Sequence, residues 1–220
     1  MCGRLFNAVA KATTIAALVL AAAGFPSLAA EPLKILALGN SLTAGYGLAE
    51  TDGFTTRLEN ALKDKGYDVQ VINAGVSGDT TAGGRSRLDW ALGDQPQVAV
   101  VELGANDGLR GLDPASTRDN LDAILTTLKE RKIPTLVAGM YAPRNLGRDY
   151  GDRFNAIYPD LAAKHDVPLY PFFLDGVALD PKLNQEDGMH PNAKGVAIVV
   201  AGILPHLTAL IDSLSGGVGQ

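Results

Sequence analysis

Short runs of aliphatic and β-branched residues alternate along the chain with longer stretches whose apolar positions recur every three or four residues. The first pattern suits strands buried on both faces and the second suits amphipathic helices. Strands are predicted at residues 33–38, 69–72, 98–103, 135–140 and 167–170, and helices at 55–65, 80–92, 114–132, 152–165 and 192–214. Regular alternation of the two is the pattern of βα units, and right-handed crossovers then place helices on both faces of a parallel sheet. The expected architecture is a three-layer α/β/α domain. Gly66 reads as the residue that lets the chain leave a helix through the left-handed region, and Asp113-Pro114 reads as N-cap followed by N1. Trp90 and the Phe172-Phe173 pair are expected in the core.

Residues 1–30 stand apart from this pattern. Arg4 and Lys11 precede an apolar run that Gly24-Phe25-Pro26 interrupts, and Ser27-Leu28-Ala29-Ala30 supplies small residues suited to signal peptidase. The apolar core of this segment is nearer ten residues, too short for a bilayer of about 30 Å. A cleaved signal peptide over 1–30 is expected, followed by a single domain over 31–220 with no remaining membrane anchor. The segment holds two bases and no acid, so net charge falls from −5 for the whole chain to −7 without it. It also holds Cys2, the only cysteine, so the remainder forms no disulfide and offers no thiolate. An acidic chain without a Lys/Arg cluster argues against a nucleic-acid partner, because that affinity comes mainly from neutralising phosphates. The expected location is periplasmic or secreted, in soluble form.

Candidate chemistry gathers where the parallel strands would end. After the first comes Gly39-Asn40-Ser41-Leu42-Thr43-Ala44-Gly45, a tight turn that would project the Ser41 hydroxyl at a helix start; this also fits an anion cradle or simple capping. It is neither a Walker A loop nor a G-x-S-x-G elbow. After the second and third come Ser77-Gly78-Asp79-Thr80 and Gly104-Ala105-Asn106-Asp107, which offer an approachable backbone N–H and a short side-chain amide, the parts of an oxyanion hole. Before the last helix stands Asp187-Gly188-Met189-His190-Pro191. An Asp three residues before a His can take its Nδ1–H and leave Nε2 free to accept a serine proton. Pro191 is expected as the first helical residue. The other histidines, His165 and His206, have no comparable setting, and no two have metal-ligand spacing.

These four blocks, in this order and spacing, resemble the GDSL/SGNH hydrolase superfamily. Val101 to Gly111, Ile157-Tyr158-Pro159 and Val167 to Phe173 resemble its periplasmic thioesterase I, arylesterase and lysophospholipase branch. The resemblance implies a flavodoxin-like (SGNH hydrolase) α/β fold with a five-stranded parallel sheet. It implies Ser41 as nucleophile, His190 as general base and then acid, and Asp187 as the residue that orients the imidazole. It also implies an oxyanion hole of the Ser41 and Gly78 backbone N–H groups and the Asn106 amide, with no metal or cofactor. Leu109, in a Gly108–Gly111 segment resembling a mobile loop that closes over the acyl chain, would contact substrate together with Tyr141 and Met189. The implied partner is a small acyl or aryl ester or thioester, acted on by a monomer. One departure is visible: Asn40 stands where the family usually has Asp, which keeps an acceptor in the turn but removes a charge beside the nucleophile. Two other readings remain open: an acetylesterase acting on carbohydrate with the same triad, and a binding module in which the Ser/Gly loops hold an anion.

Overall fold

The computed structural model describes residues 31–215; the expected signal segment lies outside them. Five strands, β1 (Leu33–Gly39), β2 (Val69–Gly75), β3 (Val98–Glu102), β4 (Thr135–Ala138) and β5 (Leu169–Tyr170), form one sheet in the order β2-β1-β3-β4-β5. All neighbouring pairs are parallel. Helices cover both faces, so the central strands are apolar without alternation, and every residue of β3 is buried. The expected three-layer α/β fold is the one observed.

The α-helices are α1 (Ser41–Ala44), α2 (Phe54–Asp64), α3 (Thr81–Ser86), α4 (Leu88–Ala91), α5 (Ala105–Leu109), α6 (Pro114–Glu130), α7 (Arg148–Asn155), α8 (Ile157–His165) and α9 (Ala193–Ser215). On one side α2 packs against α9; on the other α6 packs against α3 and α8. By length and apolarity α9 would pass for a membrane span. Its residues Val196, Val199, Val200, Ile203, Leu207 and Ile211 form a buried stripe at helical spacing, directed at α2, β4 and β5. That stripe makes it a core helix.

Several boundaries differ from expectation for identifiable reasons. The second strand does not stop at residue 72: Asn73, Ala74 and Gly75 continue β2 by pairing with Ala37, Leu38 and Gly39. The helix expected at 80–92 breaks at Arg87 (φ −105°, ψ 4°), whose side chain is drawn inward to Asp79 and the Gly39 carbonyl. The helix expected at 152–165 begins at Arg148 and divides at Ala156, because Pro159 has no N–H to give the Asn155 carbonyl. Pro191 is not the first helical residue: it pairs with Asn184 in an antiparallel bridge, and Asn192 caps α9 by accepting from the Lys194 and Gly195 N–H groups. Trp90 is not core but 79% exposed, while Phe173 is buried and Phe172 only partly so. The short α1 and α5 are too brief for any periodicity to announce.

Candidate active site

Because the strands are parallel, the segments following β1, β2 and β3 emerge at one edge of the sheet. Asn40 caps α1, its Oδ1 accepting the Leu42 N–H at 2.9 Å, and places Ser41 at the first helical position. The backbone N–H groups of a first helical turn have no intrahelical acceptor, so the Ser41 N–H points outward unpaired by its own helix. Gly39 permits this packing: a Cβ there would collide with the Thr43 hydroxyl and lie 2.7 Å from Glu102 Oε2.

Across 149 residues of sequence, His190 Nε2 lies 2.8 Å from Ser41 Oγ. His190 Nδ1 lies 2.5 Å from Asp187 Oδ2. A carboxylate accepts only, so Nδ1 carries the proton and Nε2 is left to accept from the serine hydroxyl. Asp187 Oδ1 also accepts the backbone N–H groups of His190 at 3.0 Å and Met189 at 2.9 Å. Those two backbone bonds, then the imidazole bond, hold the Asp187 carboxyl down at about 2, so it stays ionised. The Tyr46 ring lies against the imidazole, centroids 4.7 Å apart.

Gly78 and Asn106 complete the arrangement around Ser41, and all three line one cavity of about 390 Å³ with His190. Gly78 has φ +82°, a conformation that glycine adopts without strain. The Gly78 carbonyl accepts from Arg110 at 2.8 Å, and the Asp79 carbonyl accepts from Asn106 Nδ2 at 2.9 Å. One amide hydrogen of Asn106 therefore anchors the neighbouring loop and the other remains available. Asp107, adjacent in sequence, does something else: buried, it accepts from the Thr81 N–H and hydroxyl and from Thr117, tying α3 to α6.

The rest of the cavity is mainly apolar, lined by Leu109, Met140, Tyr141, Phe172, Leu179 and Met189, with Ser77 and Asn184 among its few polar residues. Tyr141 stacks on Phe172 at 4.7 Å. All the residues expected to react or to contact substrate are thus brought together. Leu109 differs in local structure: it ends helix α5 and is not in an irregular loop, with the turn completed by Gly111 at φ +61°.

Sequence reasoning missed three contributors. Gln185 binds the His190 loop to the Ser41 loop, donating from Nε2 to the carbonyls of Tyr46 at 2.8 Å and Pro191 at 3.0 Å, while its backbone N–H donates to the His190 carbonyl at 2.7 Å. Arg87 donates to Asp79 at 2.7 Å and to the Gly39 carbonyl at 2.9 Å, joining the ends of β1 and the Gly78 loop. Glu102 lies buried beneath Asn40 and Thr43. Of these, only Glu102, at a strand end two residues before Gly104, carried any signal.

The GDSL-like Lipase/Acylhydrolase family matches residues 37–198. The chain is 39% identical over 189 residues to Thioesterase 1/protease 1/lysophospholipase L1 of Escherichia coli (strain K12), covering 86% of this chain and 88% of that protein. It is 41% identical over 159 residues to the Arylesterase of Vibrio mimicus, covering 72% and 80%. Among solved structures, that of AlinE4, an SGNH-hydrolase family esterase, is 49% identical with a TM-score of 0.70, covering 81% of this chain and 96% of that one.

Proposed function

The chain belongs to the GDSL-like lipase/acylhydrolase family of hydrolases, and from that premise we propose that it is a serine esterase that hydrolyses acyl and aryl esters and thioesters through an acyl-enzyme. The observation that carries this is the continuous line from Asp187 through His190 to the Ser41 hydroxyl, at 2.5 and 2.8 Å. Ser41 Oγ attacks the acyl carbon as its proton passes to His190 Nε2. Ionised Asp187 stabilises the imidazolium and holds its tautomer. The carbonyl oxygen, now an oxyanion, is met by the Ser41 and Gly78 backbone N–H groups and the free hydrogen of the Asn106 amide. Collapse of this intermediate expels the alcohol or thiol, which takes the proton back from His190. Water then repeats the sequence on the acyl-enzyme, releasing the acid and restoring Ser41.

The substrate class rests on the walls. An apolar cavity with stacked Tyr141 and Phe172 suits an acyl chain or an aromatic ring better than a sugar. The relatives' names include thioesterase, lysophospholipase and arylesterase, consistent with one acyl site serving different leaving groups. Export through a cleaved segment at 1–30 would place a monomeric enzyme in the periplasm or outside the cell.

The test is turnover by residues 31–220 of p-nitrophenyl esters from acetate to palmitate, palmitoyl-CoA, lysophosphatidylcholine and an acetylated sugar, each repeated with Ser41→Ala. Serine-dependent hydrolysis favouring medium or long acyl or aryl esters is expected. Activity on the acetylated sugar alone would select the carbohydrate reading, and silence from the folded protein would select a binding module.

A further inference from the structure

Glu102 is the last residue of β3, and its carboxylate is enclosed completely while none of the reaction steps above uses it. Charged groups in such surroundings are rare unless paired. Here the partners are neutral. Oε1 accepts from Asn40 Nδ2 at 2.7 Å, and Oε2 accepts from Thr43 Oγ1 at 2.8 Å and from the Asn40 backbone N–H at 3.3 Å. All three donors belong to the turn that carries Ser41.

The same contact dictates how the Asn40 amide is oriented. The Leu42 N–H requires an acceptor, and an ionised Glu102 requires a donor; the amide meets both, with Oδ1 toward Leu42 and Nδ2 toward Glu102. That Oδ1 also stands 3.5 Å from Ser41 Oγ. Helix α1 has only four residues and cannot hold its own geometry, so the direction of the Ser41 side chain depends on what fastens residue 40.

We propose that Glu102 is a positioning residue for Ser41, acting through the Asn40 side chain, and that Asn40 and Glu102 operate as one amide–carboxylate pair. The inference rests on Ser41 being the nucleophile. It gives a reason for the Asn40 departure: with Asp at position 40, two carboxylate oxygens would face each other at this spacing, and the pair would have to retain a proton. Asn40 supplies the bridging hydrogen permanently.

The surroundings agree. Burial raises the Glu102 carboxyl to about 7, with the Thr43 and Asn40 donors opposing that rise. From α8 the neighbouring titratable group is Tyr158, whose hydroxyl donates to the Leu103 carbonyl at 3.0 Å. Arg87 reaches only the Gly39 carbonyl and Asp79, and Asp107 is occupied with Thr81 and Thr117. Above about pH 7 this carboxylate stands ionised with no cation beside it, which lowers stability, and what it positions accounts for its presence.

The experiment is a cycle of Glu102→Gln, Asn40→Asp and the double variant, read as kcat and KM for a p-nitrophenyl ester from pH 5 to 9, with melting temperature in parallel and Ser41→Ala as the inactive reference. Glu102→Gln is expected to lose kcat about tenfold with KM nearly unchanged, since a neutral amide cannot accept from all three donors. Asn40→Asp is expected to gain an alkaline limb, as the shared proton leaves, that the wild type lacks. The double variant exchanges amide and carboxylate. Its carboxylate, now at position 40, can accept from the Leu42 N–H and from the amide now at position 102, whose carbonyl accepts from the residue 40 N–H and from Thr43. It is expected to recover kcat to within about threefold of wild type and to lose the alkaline limb. Glu102→Gln is also expected to melt higher than wild type at pH 8, which separates positioning from simple support of the fold. Wild-type kcat in folded Glu102→Gln, or a double variant no better than either single one, would overturn the proposal. Should Glu102→Gln fail to fold, an Asn40→Asp profile superimposable on wild type would overturn it alone. Ser41→Ala turnover approaching that of wild type would instead overturn the nucleophile assignment beneath it.

Discussion

Ser41 and His190 meet at hydrogen-bond distance, but the segments that carry them are built differently. The Ser41 turn leaves the end of a central strand and is enclosed: Asn40, Thr43 and Glu102 are buried, and their polar atoms are satisfied among themselves. The His190 turn runs between Asn184 and Pro191 with Asp187, Gly188 and Met189 exposed. It is shaped by its own local bonds, from Asp187 to the two backbone N–H groups ahead of it, and is fastened to the rest of the site by Gln185. On the proposed reading, a nucleophile set in the core and a base set on a surface turn divide the work: the core would define where the oxygen and the oxyanion donors stand, and the turn would bring an imidazole to them. Loss of a reacting side chain in either region should be severe, whereas loosening what fastens each one should cost less and be read locally, in the core turn or in the surface turn.

The largest expected effects break the meeting point itself. Ser41→Ala or His190→Ala should each lower kcat by about 10⁴-fold or more, and the double variant should be little worse than either, because the two act as a unit. Steady-state kinetics with an active-site titration checks this. Asp187→Asn should cost about 10⁴-fold, since an amide would favour the wrong tautomer while preserving shape. On the core side, Asn106→Ala should lower kcat by about 10²–10³-fold with KM little changed. Asp107→Ala, one residue away, should instead lower the melting temperature by unfastening α3 from α6.

Gln185→Ala sharpens the contrast at smaller amplitude. It removes two side-chain hydrogen bonds of roughly 1 kcal/mol each that tie the loops together. About a tenfold loss in kcat is expected, with amide exchange faster at residues 186–190 and unchanged at residues 40–44.

The smallest effects, in stability against pH, have opposite signs in the two regions. Asp187 titrates at about 2 in the folded chain against an ordinary 3.8, so its contribution is present above the ordinary value and is lost as pH falls through the folded one. Glu102 titrates at about 7 against an ordinary 4.5, so the folded state binds the proton more tightly and stability falls as pH rises between those values. Melting curves from pH 3 to 8 should show the neutral-side decline diminished in Glu102→Gln and the acid-side loss diminished in Asp187→Asn.

The legible parts of the chain are those governed by local pattern. Buried parallel strands announce themselves as apolar runs; Ser41, Gly78 and Asn106 stand in short polar blocks that follow them, and His190 in another before the last helix. What pattern does not reveal depends on partners distant in sequence. Gln185 acts on Tyr46, 139 residues away, and nothing beside it in the chain distinguishes it; Glu102 stands in a recognisable strand-end block, but its action on Asn40, 62 residues away, is not written there. Trp90 shows the reverse limit. Its size suggests the core, but the helix it sits on is one turn long after the break at Arg87 and presents it to solvent.

The central claim, that Ser41 is the nucleophile and depends on His190, is tested most directly by labelling residues 31–220 with an alkyl phosphonate ester and locating the adduct by mass spectrometry. The account predicts one adduct per chain, on Ser41, with activity lost in proportion, and labelling greatly slowed in His190→Ala. An adduct elsewhere, or full labelling of Ser41 in His190→Ala at the wild-type rate, would contradict it.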